Sequence, residues 1–218
     1  MHCLLVASTA AEIAPFTDHL GTTEKLNHID FDVDILITGV GSNAATYALT
    51  RYLQHKRPEL IIQAGVAGAF DPKTELGTVF VVKQDVLADQ GVQEKNAFLD
   101  VFDLKLSRSN ELPYKKGVLP NPYLNLMKRS RLKKASGITV NEITTSKKRA
   151  EHYVSKYRAT LESMEGASLH YVALMEEIPF MQLRSISNHV GERNKKKWDL
   201  PLAINSLNKN LIRLLESL

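Results

Sequence analysis

Short apolar runs of strand length alternate with stretches of helical periodicity along most of the chain, and this alternation is what most constrains the fold. His2–Ala7, Val33–Thr38, Leu60–Gln63 and Phe180–Ile186 are largely apolar, Thr78–Val86 is rich in Val, and Gly137–Thr144 is a further β-branched run. A strand that lacks hydrophobic–polar alternation is one covered on both faces. Ala10–Leu20 reads as a helix with Thr9 as a candidate cap. Asn43–Gln54 reads as a second, with Ala44, Ala45, Leu49 and Leu53 inward. Gly166–Glu176 is a third, its apolar face on Leu169, Val172, Ala173 and Met175, and Leu207–Leu218 is amphipathic. Strands separated by helices imply an α/β fold in three layers: a mixed, mostly parallel central sheet with helices on both faces. No repeat or clear linker divides the chain, so residues 1–218 read as one domain, with the basic stretch Leu104–Lys134 an excursion from the sheet.

Composition excludes several classes. The balance of 28 Lys+Arg against 24 Asp+Glu gives +4, but the basic clusters Lys115-Lys116, Lys128–Lys134, Lys147–Arg149 and Lys195–Lys197 carry no interleaved aromatics. A single-strand binder needs those stacking platforms, so no nucleic-acid partner is expected. Cys3, alone in an apolar strand, excludes a disulfide framework and fits a reducing compartment. No apolar run approaches the ~20 residues of a membrane span. Met1–Ala7 is too short for a secretory h-region. The expectation is a cytoplasmic protein without membrane partners.

Chemistry concentrates in two segments. Met164-Glu165-Gly166-Ala167 stands at a strand-to-helix turn, and Arg184-Ser185-Ile186-Ser187-Asn188 ends the next strand. In an open α/β sheet, ligands bind outside the carboxyl ends of the strands. A carboxylate there takes both hydrogens of a vicinal diol, and a primary amide, with donors and an acceptor, suits a heterocycle edge. A diol beside a heterocycle is a nucleoside, so the expected partner is a small-molecule nucleoside.

These segments resemble those of the nucleoside phosphorylase and nucleosidase family, whose methylthioadenosine nucleosidases carry Met-Glu-Ala and Arg-Ala-Ile-Ser-Asp at the equivalent places. Ser187-Asn188-His189-Val190-Gly191-Glu192-Arg193, followed by Trp198, is most similar to the Ser-Asn-Pro-Val-Gly-x-Arg of the futalosine hydrolase branch, which acts in menaquinone biosynthesis. The likeness runs from His2 to the last helix and is weakest between Gln93 and Ser136.

The resemblance implies a catalytic set of Glu12, Glu165 and Asn188: Glu12 to activate water, Glu165 to hold the ribose hydroxyls and Asn188 to receive the departing base. The nucleosidases have an aspartic acid that protonates adenine where Asn188 stands. Asn is what 6-oxopurine-specific members use, which tilts the substrate from adenosine-like to inosine-like. The resemblance further places Val66, Ala67 and Gly68, in the small-residue loop Ala64–Ala69, and Met164 against purine and sugar. Arg193 is a candidate partner for the benzoate of futalosine; Asp89 and Trp198 are candidates for the pocket edge. His189 replaces the usual proline and reads as incidental. Ser8 and its neighbours include no Lys or Arg, which favours water over phosphate as nucleophile and leaves a 6-oxopurine phosphorylase or a methylthioadenosine-type nucleosidase as alternatives. No cofactor or metal is expected, and family members are commonly homo-oligomers, dimers or larger.

Gly39-x-Gly41-x-x-Ala44 has the form of a dinucleotide fingerprint, with Glu59 near the position of a ribose-binding acid. The pair follows the second strand rather than the first, and Glu59 starts a strand rather than ending one. It therefore reads as a tight turn that lets a helix pack closely.

Overall fold

The computed structural model describes residues 1–22, 32–95 and 97–218. β1 (His2–Ala7) lies between β2 (Asp32–Ile37) and β3 (Leu60–Ala69), parallel to both. Its apolar character follows from its place. Cys3, Leu5 and Ala7 enter a core that also holds Ile13 and Phe16 of α1 (Ala10–Thr22) and Leu207 and Leu211 of α6 (Leu200–Leu215). Leu4 and Val6 enter the opposite core, with Leu49 of α2 (Ser42–Leu53) and Leu169 and Val172 of α5 (Gly166–Met175). Alternate residues of one strand thus serve two helical layers, the three-layer arrangement the pattern implies.

The sheet then curls on itself. β10 (Phe180–His189) runs parallel to β3, β4 (Val79–Asp85) antiparallel to β10, β8 (Lys133–Thr139) parallel to β4, and β9 (Leu161–Ser163) parallel to β8. β9 closes the circuit by pairing antiparallel with β3, Gly68 opposite Glu162. All five strands contribute to one cluster, including Ala67, Phe80, Val82, Ala135, Leu161 and Ile186. Side chains from every strand of a closed circuit meet only on its inner side.

Several boundaries differ from the sequence expectation. The segment Ala64–Ala69 is no loop: β3 continues through it, pairing along β10 from Leu183 to His189. Its small residues answer to a close neighbour, since a Cβ at Gly65 would stand 2.3 Å from Arg184 Nη1. β8 starts and ends earlier than Gly137–Thr144, so residues 140–146 leave the sheet toward the cavity described below. α6 begins at Leu200, where Asp199 caps it by accepting from the Leu202 N–H at 2.9 Å. The excursion holds β7 (Leu119–Pro120), paired with β4, and α3 (Leu124–Arg129); a separate hairpin, β5 (Gly91–Glu94) with β6 (Ala97–Asp100), precedes it. Met175, expected inward, is half exposed. α4 (Lys147–Tyr157) completes the helices and anchors that hairpin through Lys156 to Asp100 and Asp103. Among the described residues no helix is long and apolar enough to cross a membrane.

α1 and α6 are joined by one buried amide. Asn208 accepts from the Phe16 N–H at 3.1 Å and donates to the Glu12 carbonyl at 2.9 Å. Removing it strands two buried backbone groups, each costing on the order of 1–3 kcal/mol. Asn208→Ala is therefore expected to lower stability by about 2–4 kcal/mol in denaturant unfolding. A loss below about 1 kcal/mol would show that the clamp carries no such weight.

Candidate active site

The carboxyl ends of β1, β3 and β10 and the turn from β9 into α5 surround a cavity of about 360 Å³, within the range of small-molecule sites. Glu12, Glu165 and Asn188, far apart in sequence, all line it, together with Val66, Ala67, Gly68 and Met164.

Glu12 sits in the first turn of α1. Its Oε2 accepts from the Thr9 N–H at 3.0 Å and from the Thr9 hydroxyl at 3.2 Å, an arrangement of the capping-box type. Its Oε1 accepts from the Val66 N–H at 3.1 Å, tying α1 to β3 across the cavity floor. A carboxylate has about four acceptor sites, so capacity for a further donor remains.

Glu165 occupies the N-cap position of α5 and is buried. Its Oε1 accepts from the Gly41 N–H at 2.9 Å, and its Oε2 lies 3.7 Å from Arg184 Nη1. The glycine turn that mimics a dinucleotide fingerprint thus serves as a backbone donor to a cavity carboxylate. Arg184 is only 1% exposed, and a buried guanidinium must be paired and hydrogen-bonded. Its Nη2 donates to Gln63 Oε1 at 3.0 Å and its Nη1 to the Val66 carbonyl at 3.4 Å; Gln63 in turn donates to the Glu165 carbonyl at 3.5 Å. Sequence reasoning quoted Arg184 within its motif but gave it no role. An arginine inside an otherwise apolar strand was the available signal.

Asn188 owes its aim to a β-bulge: the register of β10 against β3 shifts between Ile186 and Asn188, leaving Ser187 without a partner. Bulges re-aim side chains beside functional sites. The Ser187 hydroxyl donates to Asn188 Oδ1 at 2.9 Å, and Asn188 Nδ2 donates to the His189 carbonyl at 3.1 Å. One N–H of the amide stays available. His189 itself turns away, its Nε2 2.9 Å from the Thr74 carbonyl.

Two expected residues are not brought into the cavity. Arg193 is exposed and lies over the ring of Trp198, 5.7 Å from its centroid; Trp198 does line the cavity. Asp89 accepts from the backbone N–H groups of Asn141 and Glu142, bracing residues 140–146 rather than facing the cavity. Among the described residues no His/Cys/Asp/Glu group has the arrangement to hold a metal ion.

Behind the cavity, Asp85 orders the start of α5. Its Oδ1 accepts from the Thr139 hydroxyl at 2.9 Å, and that hydroxyl accepts from the Ala167 N–H at 2.7 Å. A Cβ at Gly166 would stand 2.2 Å from Asp85 Oδ2 and 2.1 Å from Gln182 Nε2, so Met-Glu-Ala could not replace Met-Glu-Gly here without a shift. Burial pushes the Asp85 carboxyl up to about 6, against the pull of its Thr139 and Gln182 partners and of Arg184.

A profile described as the Phosphorylase superfamily matches residues 31–218, and the chain belongs to that family. It is similar to the futalosine hydrolase of Thermus thermophilus, 31% identical over 83% of this chain and 80% of that protein. The futalosine hydrolase of Streptomyces coelicolor is 27% identical over 95% of this chain and 92% of its own length. The solved futalosine hydrolase of Helicobacter pylori has the same fold, with a TM-score of 0.79 at 19% identity, covering 100% of this chain and 98% of that one.

A raised folded-state pKa means the native protein binds more protons than the unfolded chain between about pH 4 and 6. The Asp85 contribution to stability is therefore greatest below pH 4 and falls as pH rises through about 6. Asp85→Asn is expected to gain stability relative to the parent by roughly 3 kcal/mol between pH 4 and pH 7. Paired unfolding curves at the two pH values measure this difference; a constant offset would contradict it.

Proposed function

We propose that the chain is a nucleosidase that hydrolyses the N-ribosidic bond of futalosine, releasing hypoxanthine and dehypoxanthine futalosine, and so serves menaquinone biosynthesis. The observation that carries the hydrolytic reading is the lining of the cavity: carboxylates and an amide among apolar walls, with no Lys or Arg among the described residues. A phosphorylase has to bind a phosphate nucleophile, for which cationic side chains are the ordinary partners. The one buried guanidinium nearby, Arg184, is committed to Glu165, Gln63 and the Val66 carbonyl.

In this reading, a water held by Glu12 attacks the anomeric carbon through an oxocarbenium-like state. Glu12 takes the water's proton, which general-base assistance makes worth roughly 10²–10⁴-fold. Glu165 accepts from the 2′ and 3′ hydroxyls on the lone pairs that Gly41 leaves free, and its charge stabilises the cationic sugar most in the transition state. Asn188 donates to the N7/O6 edge of the leaving base, with Ser187 fixing the amide's orientation. Val66, Ala67, Gly68 and Met164 pack against base and sugar. Arg193, stacked on Trp198, is assigned to the carboxylate of the substrate's non-purine tail. The protein is taken to act in the cytoplasm as a homo-oligomer, a dimer or larger. Val40, Ile143 and Leu200, exposed apolar residues on the cavity wall, support cover by a second copy.

Incubation with futalosine, with and without phosphate, tests the reading directly. Hypoxanthine release at a rate independent of phosphate is expected; ribose 1-phosphate-type products would overturn it. Glu12→Gln keeps the shape but cannot take a proton, so kcat should fall about 10²–10⁴-fold with ligand binding retained. Near-parental turnover would remove Glu12 from the mechanism. Asn188→Asp places an ionised carboxylate against O6, and the ratio of kcat/KM for the 6-oxopurine substrate over its 6-amino counterpart should fall. An unchanged ratio would take Asn188 out of base recognition.

A further inference from the structure

The residue that opens α5 does not cap it. Glu165 stands at the N-cap position, yet its side chain makes no capping hydrogen bond. Both oxygens are engaged elsewhere, Oε1 by the Gly41 N–H at 2.9 Å and Oε2 toward Arg184 Nη1 at 3.7 Å. The first N–H groups of a helix have no intrahelical partner, and an N-cap side chain ordinarily accepts from the second or third of them. In α5 the third, that of Ser168, finds the Glu165 carbonyl at 3.1 Å. The second, that of Ala167, is left over in a buried turn without an acidic residue of its own. A buried donor has to be paired.

Its acceptor comes from another element. Thr139, at the end of β8, is fully buried and does not line the cavity. Its hydroxyl accepts from the Ala167 N–H at 2.7 Å. A hydroxyl has one hydrogen to give, and this one goes to Asp85 Oδ1 at 2.9 Å, so the lone pairs are left facing the helix. The same Oδ1 accepts from the Val86 N–H at 2.8 Å, which holds the carboxyl in place. The other carboxyl oxygen lies where a Cβ on Gly166 would be, at the positive end of the α5 dipole. Thr139 and Asp85 together occupy the role of a side-chain cap.

We propose that Thr139 is a positioning residue of the active site: by capping α5 from β8, it leaves the Glu165 carboxylate to Gly41 and to the ribose hydroxyls. The inference deepens the nucleosidase reading and rests on it for what Glu165 binds. Without the hydroxyl, the buried Ala167 N–H competes with Gly41 and the substrate for the carboxylate at its own N-cap.

Thr139→Val keeps the shape of the side chain and removes the acceptor. Its kcat on futalosine should fall about 10- to 100-fold, the loss that a misplacement on the order of 1 Å brings. KM should change less, because Glu165 acts most strongly in the transition state. Thr139→Ser restores the hydroxyl and should bring kcat to within about threefold of the parent; Thr139→Cys, a weak acceptor, should fall between. Equal kcat in the Val and Ser variants would overturn the proposal. If the Val variant does not fold, equal kcat in the Ser and Cys variants does the same.

In a Glu165→Gln background, Thr139→Val should cost less than about a further threefold, since a residue that acts through another is not additive with it. An undiminished loss there would mean that Thr139 only braces the fold. The crystal structure of Thr139→Val needs no turnover. Glu165 is expected to have left the Gly41 N–H, and a bond unchanged from the parent would refute the positioning role. Failure of the parent to hydrolyse futalosine strikes at the proposed function instead, and that bond then still decides the role of Thr139.

Discussion

A guanidinium buried in the middle of a sheet is the constraint to which much of this structure answers. Arg184 reaches inward from β10, and a charge so placed is tolerated only with partners around it. Glu165 supplies the counter-charge, Gln63 and the Val66 carbonyl supply acceptors, and Gly65 gives up its side chain to make room. Each of these choices fixes something else. Gln63 also holds the Glu165 carbonyl, so the start of α5 cannot move independently of β3. Val66 is held from both ends, its carbonyl by Arg184 and its N–H by Glu12. The carboxylates on opposite sides of the cavity are in this way connected through Val66 and Gln63 of β3 and one arginine.

The cavity chemistry is correspondingly one-sided. The positive charge lies behind a carboxylate instead of beside the space a substrate would fill, and among the described residues no wall residue is cationic. A site so built favours positive charge developing on a ligand and offers an incoming anion little. Orientation comes mostly from backbone: Gly41, Val66 and Thr9 donate main-chain N–H groups to the carboxylates. Main-chain donors bring little side-chain entropy to be lost on ordering, which suits a site whose groups must hold their positions.

The layered architecture was legible because β1 is apolar on both faces and the start of β10, from Phe180 to Leu183, largely so, a pattern that few folds accommodate. The strand-end placement of Glu165 and Asn188 was legible for the same reason. What escaped was length and closure. Ala64–Ala69 looks like a turn because its residues are small, yet the smallness serves a long-range neighbour, Arg184, that no local pattern reveals. The pairing of β9 with β3 escaped likewise, since so short a strand has no periodicity to read. Gly39-x-Gly41 reads from sequence as a tight turn, but its service to Glu165 depends on a contact 124 residues distant. Arg193 does not itself line the cavity but lies over the ring of Trp198, which does, an arrangement that sequence neighbourhood alone does not reveal.

The closed strand circuit also bears on how the chain is made. β3 finds one neighbour, β1, early, but its other partners, β10 along the opposite edge and β9 beyond β1 on the same edge, lie about a hundred residues further on: Gly68 pairs with Glu162 and with Asn188. During synthesis, which proceeds from the N-terminus, an apolar strand stands with an open edge for most of the time the chain is emerging. Long-range pairing of this kind is slow to form and leaves edges open to other chains meanwhile. The strand that lines the cavity is therefore also the segment of the nascent chain with the most to gain from a chaperone's cover.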